Sequence, residues 1–277
     1  GLRAEEIAAR LGVSRAALYR YEKGEVIKLD TIKRLAELLK ISPLSLLGIG
    51  VEYVSRATLY FDRLRAIEES TDQILHVAGP TPYLVTSDAF DAVLAEVLAE
   101  AAETGGPERA ALRAQSDHLI GILQGRKKVY QARRPSIIAI LTIGALQRLL
   151  EGGVAGGVTV SDRVRAQARA VAAAEVENIA ALMEAEPIGV QLGLMPAGEP
   201  NGTFRVLRSR ERAFLTINPF RLDAHPASQT GVAMITGADE ALATHQKVAE
   251  ALWRDALKGG AAAARVRELV RSVRAAV

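Results

Sequence analysis

The sequence predicts a multidomain protein of all-α and α/β parts: a small N-terminal all-α bundle, then a larger mixed α/β domain. Three observations predict it. Over residues 3–50, apolar side chains recur three and four apart between glycines and helix-capping residues. Beyond residue 79, apolar runs of strand length alternate with longer helical segments. The 277 residues, 49% of them hydrophobic, suffice for two cores. The expected divisions are 1–50 for the bundle, 51–78 for a linking helix and 79–277 for the α/β domain.

Ile7, Ala8 and Leu11 share one helical face, so residues 4–11 form a helix. Gly12 can take the positive φ that ends it. Ser14 caps the next helix through its hydroxyl. In that helix Leu18 and Tyr21 turn inward, while Arg15, Ala16, Tyr19, Arg20 and Lys23 face outward. Gly24 stops it. Asp30 caps a third helix over Thr31–Leu39, with Ile32, Leu35, Leu38 and Leu39 apolar. Ser42 and Pro43 open a last short helix carrying Leu46 and Leu47. Helix, tight turn and second helix in this order make a helix-turn-helix.

These residues carry a resemblance. Ile7-Ala8, Gly12-Val13-Ser14, Tyr21-Glu22-Lys23-Gly24, the run Thr31 to Leu39, and Leu46-Leu47 resemble the DNA-binding domain of phage-repressor and Cro-type regulators, the XRE family, over residues 1–48. Members carry a further helix before the position of Gly1, so this bundle is expected to lack its first helix. The resemblance implies that the second helix enters the major groove of duplex DNA, its first turns against base edges. Arg15 and Arg20 are then candidates for paired bonds to guanine. Ala16 and Ala17 offer methyl contact, and Ser14, Lys23 and Arg3 suit phosphate contact. Tyr19 completes the DNA-facing set.

Charge agrees with that division. Formal net charge is +3. Residues 1–50 hold nine Lys/Arg against six Asp/Glu, so the rest of the chain is balanced. The excess is confined to the N-terminal part rather than spread over a generally basic protein. The absence of cysteine excludes disulfides, thiol nucleophiles and cysteine-ligated metal sites, and suits a cytoplasmic location. No stretch reaches 18 apolar residues, so no membrane partner is expected.

In the larger part, 51–78 reads as the linking helix and Gly79-Pro80-Thr81-Pro82 ends it. Tyr83–Thr86 reads as a short strand, and Ser87 caps a helix with Phe90, Leu94, Val97 and Leu98 on one face. Residues 108–131 are helical, and 136–142 form a strand buried on both faces. A helix over 144–150 precedes a flexible glycine run, 152–157. Ser161 caps a helix to about Ala185, with the stripe Ala172, Val176, Ile179 and Met183. Glu175, Glu177, Glu184 and Glu186 read as solvated. Residues 188–195 form a strand, 204–207 and 213–217 a hairpin, and 231–235 another strand. A helix over 238–257 turns Leu242, His245, Ala249, Leu252 and Trp253 inward, and 261–276 form a basic amphipathic helix. The expected total is four to six strands.

This half also carries a resemblance. Arg133-Arg134-Pro135-Ser136-Ile137-Ile138, Leu146-Gln147-Arg148, Val190 to Pro196, Gly202 to Leu207 and Leu252 to Leu257 resemble the sensor domains found behind such readers in bacterial regulators. Its element order is similar, more weakly, to one half of a non-catalytic phospholipase D-like fold.

Catalytic patterns are absent from the sequence. His245-Gln246-Lys247 lacks the aspartate that phospholipase D chemistry needs, since position 252 is Leu. The four histidines are scattered and match no zinc spacing. The glycine run lacks a phosphate-loop ending, and no Gly-x-Ser-x-Gly elbow occurs. No enzyme activity, metal or cofactor is therefore expected. The segment Asn218 to Pro226 follows a strand end and gathers an aromatic ring, a guanidinium, a carboxylate and an imidazole. Asn218, Arg221 and His225 are candidates for a small ligand, with Arg221 on an anionic or polar group. The same segment also reads as a structural loop held by prolines and an Arg–Asp pair.

The sequence is thus expected to encode a bacterial, sequence-specific DNA-binding transcriptional regulator. Its C-terminal domain is expected to dimerise, to sense a small-molecule effector, or both. A homodimer is expected because one helix-turn-helix makes too few contacts for useful specificity. The helices 161–185 and 261–276 are candidate dimer surfaces or domain core. The alternatives are an antitoxin-like DNA binder engaging a protein partner, an enzyme tethered to a DNA reader, and a constitutive regulator.

Overall fold

In the computed structural model, Ala4–Leu11 (α1) ends in a hydrogen-bond pattern set by one glycine. Gly12 adopts φ 65°. Its N–H donates to Ala9 O at 3.2 Å, and the Val13 N–H donates to Ala8 O at 3.1 Å. That pair of bonds is the Schellman motif, which satisfies carbonyls left over at a helix end. Arg15–Glu22 form α2, Leu29–Leu39 α3 and Pro43–Leu46 α4. Ala8, Leu11 and Leu18 make a small core, with Ile7, Val13 and Leu35 packed around it. One detail departs from expectation. The third helix starts at Leu29, so Asp30 lies inside its first turn and pairs with Arg34 at 3.0 Å instead of capping.

The structure describes residues 4–23, 27–39, 43–46, 50–79, 82–104, 106–198, 200, 202–222 and 224–275. Arg3, Gly24, Ser42, Leu47 and Asp223 lie outside the described residues. The chain divides into one unit of residues 1–52 with 236–238 and another of 53–235 with 239–277.

The expected linking helix over 51–78 is instead Val51–Val54 (β1), Ala57–Glu68 (α5) and Gln73–Val77 (β2). An apolar run as short as Gln73–Val77 has no periodicity of its own to choose helix or strand. Its neighbours choose: β2 pairs in parallel with Ser136–Thr142 (β3) and antiparallel with Phe204–Arg208 (β5). The other strands are Val190–Met195 (β4), Ala213–Ile217 (β6) and Ala233–Thr236 (β7). Among the described residues seven strands form one mixed sheet, in the order β1-β7-β6-β5-β2-β3-β4, where four to six were expected. Tyr83–Val85 is a 3-10 turn rather than a strand. It follows Pro82, and the Thr86 hydroxyl closes it on Tyr83 O at 2.8 Å.

The helices of this unit are Asp88–Glu103 (α6), Arg109–Arg133 (α7), Ile143–Gly152 (α8), Asp162–Ala185 (α9), Asp239–Asp255 (α10) and Gly259–Ala275 (α11). One sheet face, carrying Ile74, Ile137, Ala139, Leu141 and Leu192, packs under α5 to α9 and α11. The other, carrying Leu75, Val77, Ile140, Phe204, Val206 and Leu215, is covered by Leu242, Ala249, Leu252 and Trp253 of α10. Ala168, Ala172, Val176, Ile179 and Met183 of α9 share the larger core with Ala262, Ala263, Val266, Leu269 and Val270 of α11. The apolar stripes of these two helices are therefore domain core.

Candidate nucleic-acid interface

Ser14 has extended backbone (φ −74°, ψ 152°), and its Oγ accepts the Ala17 N–H at 3.1 Å, starting α2 as a side-chain cap. Arg15, Ala16, Tyr19, Arg20 and Lys23 are all exposed, and Ala17 is half-buried at the edge of the same face. Leu18 is buried on the opposite side. Arg15 is already engaged: its guanidinium pairs with Glu5 at 2.7 Å and reaches the Tyr19 hydroxyl at 3.4 Å. The Tyr19 bond and then Glu5 raise its pKa further, so it is a permanent cation. To meet a base edge it must exchange Glu5 for DNA. Gly12 is the joint that sets the angle between α1 and α2. Gly12→Ala is expected to lower the stability of the first unit by about 1 kcal/mol, read from thermal unfolding, because alanine resists a positive φ.

A separate cleft of about 590 Å³ opens in the second unit. Its walls include Thr104, Glu108, Leu112, Val158, Arg221 and His225. Of the three sequence-predicted ligand residues, Arg221 and His225 line it and Asn218 does not. The Asn218 amide is spent on the Phe220 backbone, accepting its N–H at 3.0 Å and donating to its carbonyl at 2.9 Å. His225 is buried in the wall. Its Nδ1 accepts the Ala227 N–H at 3.2 Å, which puts the ring proton on Nε2, 3.0 Å from Ser116 Oγ. Burial lowers its pKa. Gln229 braces the loop, accepting the Arg221 N–H at 2.6 Å and donating to the Arg221 and Ala224 carbonyls. These bonds place the exposed Arg221 at the wall of the cleft.

Sequence reasoning missed a buried polar network between the sheet and α5, α6, α7 and α9. Arg126 makes two bonds to the Glu68 carboxylate, at 2.9 and 2.8 Å. Lys127 pairs with Asp91 at 2.8 Å, and the Tyr83 hydroxyl donates to Asp91 at 2.9 Å. Glu175, expected in solvent, is buried and accepts from the Ser87 hydroxyl and N–H. Beside these groups His76, Arg205, Arg126, Glu68 and Tyr83 line a void of about 20 Å³. Burial first, then Arg205 and Arg126, hold His76 well below the usual imidazole range. Folded protein thus keeps His76 neutral where the unfolded chain protonates it. Stability is complete above the unfolded value near 6.5 and declines as pH falls below it, by up to about 1.4 kcal/mol per pH unit. His76→Gln is expected to flatten that slope in a series of thermal melts; an equal slope would exclude His76 as its source.

Elsewhere, His245 Nδ1 lies 2.8 Å from Ala241 O and its ring edges onto Phe204, a core placement. Among the described residues no cluster of histidine or carboxylate side chains suits a metal. None of their helices is long and apolar enough to cross a membrane.

Residues 1–46 match the helix-turn-helix family model. The N-terminal segment is a helix-turn-helix. A solved structure of the archaeal chromatin protein TrmBL2, described as showing a novel mode of DNA binding, aligns at a TM-score of 0.34 and 12% identity, covering 88% of this chain and 64% of that one. This chain therefore spans less than two thirds of that protein's length. No curated protein matches the chain. Neither match bears on the phospholipase D resemblance.

Proposed function

We propose that the chain is a sequence-specific DNA-binding regulator of transcription that reads duplex DNA through α2. The observation that carries this is the outward face of α2, where Arg15, Ala16, Tyr19, Arg20 and Lys23 stand exposed beyond the Ser14 cap. A capped helix with an exposed face carrying guanidinium groups in its first turn, at Arg15, and its last, at Arg20, suits the major groove. In this reading the chain works as a homodimer, since two half-sites multiply contacts that one reader makes too sparingly. The second unit acts as sensor, and the cleft holding Arg221 takes a small-molecule effector. Such an effector shifts DNA binding only if it prefers one arrangement of the two readers.

The test is binding to the promoter region beside the protein's own gene across a salt series. Arg20→Ala is expected to weaken binding about 10- to 100-fold and to relax sequence preference. Weak binding that vanishes with salt and ignores Arg20 would reduce α2 to a non-specific basic surface. Arg221→Ala is expected to abolish response to an effector found by screening while DNA affinity stays intact.

A further inference from the structure

We propose that the second unit carries its own phosphate-contacting surface for duplex DNA, formed by arginines at one end of its sheet. The sheet register brings them together. Gln73, at the start of β2, pairs with Ser136 of β3 on one side and with Arg208 of β5 on the other. The end of α7 and the turn after it, with Arg133 and Arg134, therefore lie two strand spacings, about 10 Å, from the end of β5 and the turn after it, with Arg208, Arg210 and Arg212.

Both turns are braced by hydrogen bonds. The Ser209 N–H donates to Arg212 O at 2.8 Å, and Ser209 Oγ accepts the Arg212 N–H at 3.1 Å. Arg134 caps α7 at φ 51°, its N–H on Tyr130 O at 2.8 Å and its Nε on Gln131 O at 3.3 Å. That left-handed conformation favours glycine, yet the chain places arginine there.

The charge at this end is only partly met. Arg133 is paired with Asp72 at 3.3 Å, and Arg208 donates to the neutral Gln246 at 3.0 Å. Arg134, Arg210 and Arg212 are exposed, and no carboxylate among the described residues lies within salt-bridge distance of them. Elsewhere in the unit Arg65, Arg126, Arg163 and Arg267 rest on carboxylates, while Arg165, Arg169 and Arg205 donate to backbone or hydroxyl oxygens. Nearby Glu69 is taken up by Arg65 at 2.7 Å. Five arginines thus stand with Asp72 and Glu211, while Glu69 is paired with Arg65 and Glu250 with Gln246, in a part of the chain whose total charge is balanced. Guanidinium forks on braced turns suit a row of phosphates, which duplex DNA presents every ~1.7 Å of its axis.

The proposal rests on the reading that the chain binds duplex DNA. Its test measures full-chain binding to a random-sequence duplex and to the promoter duplex across a salt series. The variants are Arg134→Gly/Arg210→Ala/Arg212→Ala and the same three positions changed to Lys. Glycine suits the backbone at 134, so a fold defect does not explain lost binding, and a melt no lower than the parent's confirms it. The first variant is expected to flatten the slope of log affinity against log salt by about two to three, equally on both duplexes. The Lys variant is expected to keep the slope. An unchanged slope in the first variant, with promoter binding and its dependence on Arg20 intact, overturns this surface alone. Absence of binding by the parent chain overturns the regulator reading and this surface together.

Discussion

Arg126→Ala is expected to destabilise the protein by about 3–5 kcal/mol at neutral pH, among the largest losses any single side chain gives. Both partners of the Glu68–Arg126 pair are 3% exposed. The guanidinium meets both carboxylate oxygens and lies over the rings of Phe61 and Tyr83 at 5.8 and 5.4 Å. Truncation leaves a carboxylate buried without its cation, in a place water reaches poorly. Urea unfolding of the variant beside the parent checks it. The double replacement Glu68→Leu/Arg126→Met is expected to recover most of the loss, because it removes both charges and keeps the volume. A deficit below about 1 kcal/mol would mean that the pair is hydrated rather than buried.

The same pair shows where sequence reading stops. Residues 4–23 were legible because every instruction there is local: Gly12 for the turn, Ser14 for the cap, Leu18 for the core. The long helices α7 and α9 and the apolar strand β3 were legible because their periodicity extends over many residues. β2 was not, because its five residues become a strand only through β3 and β5, which arrive more than 60 positions later. Glu175 read as solvated for a related reason: its burial depends on Ser87, 88 residues away. At the candidate sites, α2 came from pattern alone. The cleft brings Arg221 together with Glu108 and Val158 from other elements, a meeting that no local signal encodes. The segment Asn218–Pro226 was singled out for its chemical variety, yet Asn218 and His225 spend that chemistry on their own loop and on Ser116.

The glycine run after α8 yields the second large effect, and there local reading pointed the wrong way. A string of glycines reads as flexible, but Gly153 is the point at which α8 is pressed against α9. Its backbone, φ 67° and ψ −168°, is open almost only to glycine. A Cβ there would lie 2.8 Å from Ala168 C and Arg169 N, atoms of the α9 backbone that cannot swing aside as a side chain does. Two hydrogen bonds hold the approach: Gly153 N–H to Leu149 O at 2.8 Å and Val154 N–H to Ala168 O at 3.2 Å. Ala168 is fully buried, and α9 also packs on α6 and α11, so retreat of the helix would open the core elsewhere. Gly153→Ala therefore combines backbone strain with overpacking, and a loss of about 3–5 kcal/mol is expected. The neighbouring Gly152 ends α8 with nothing within 4 Å of a built Cβ, so Gly152→Ala is expected to be neutral or to stabilise by up to ~1 kcal/mol. Chemical unfolding of the two variants side by side separates the readings. Equal, small effects at both positions would return the segment to a flexible linker; a large loss confined to 153 establishes it as a helix–helix contact.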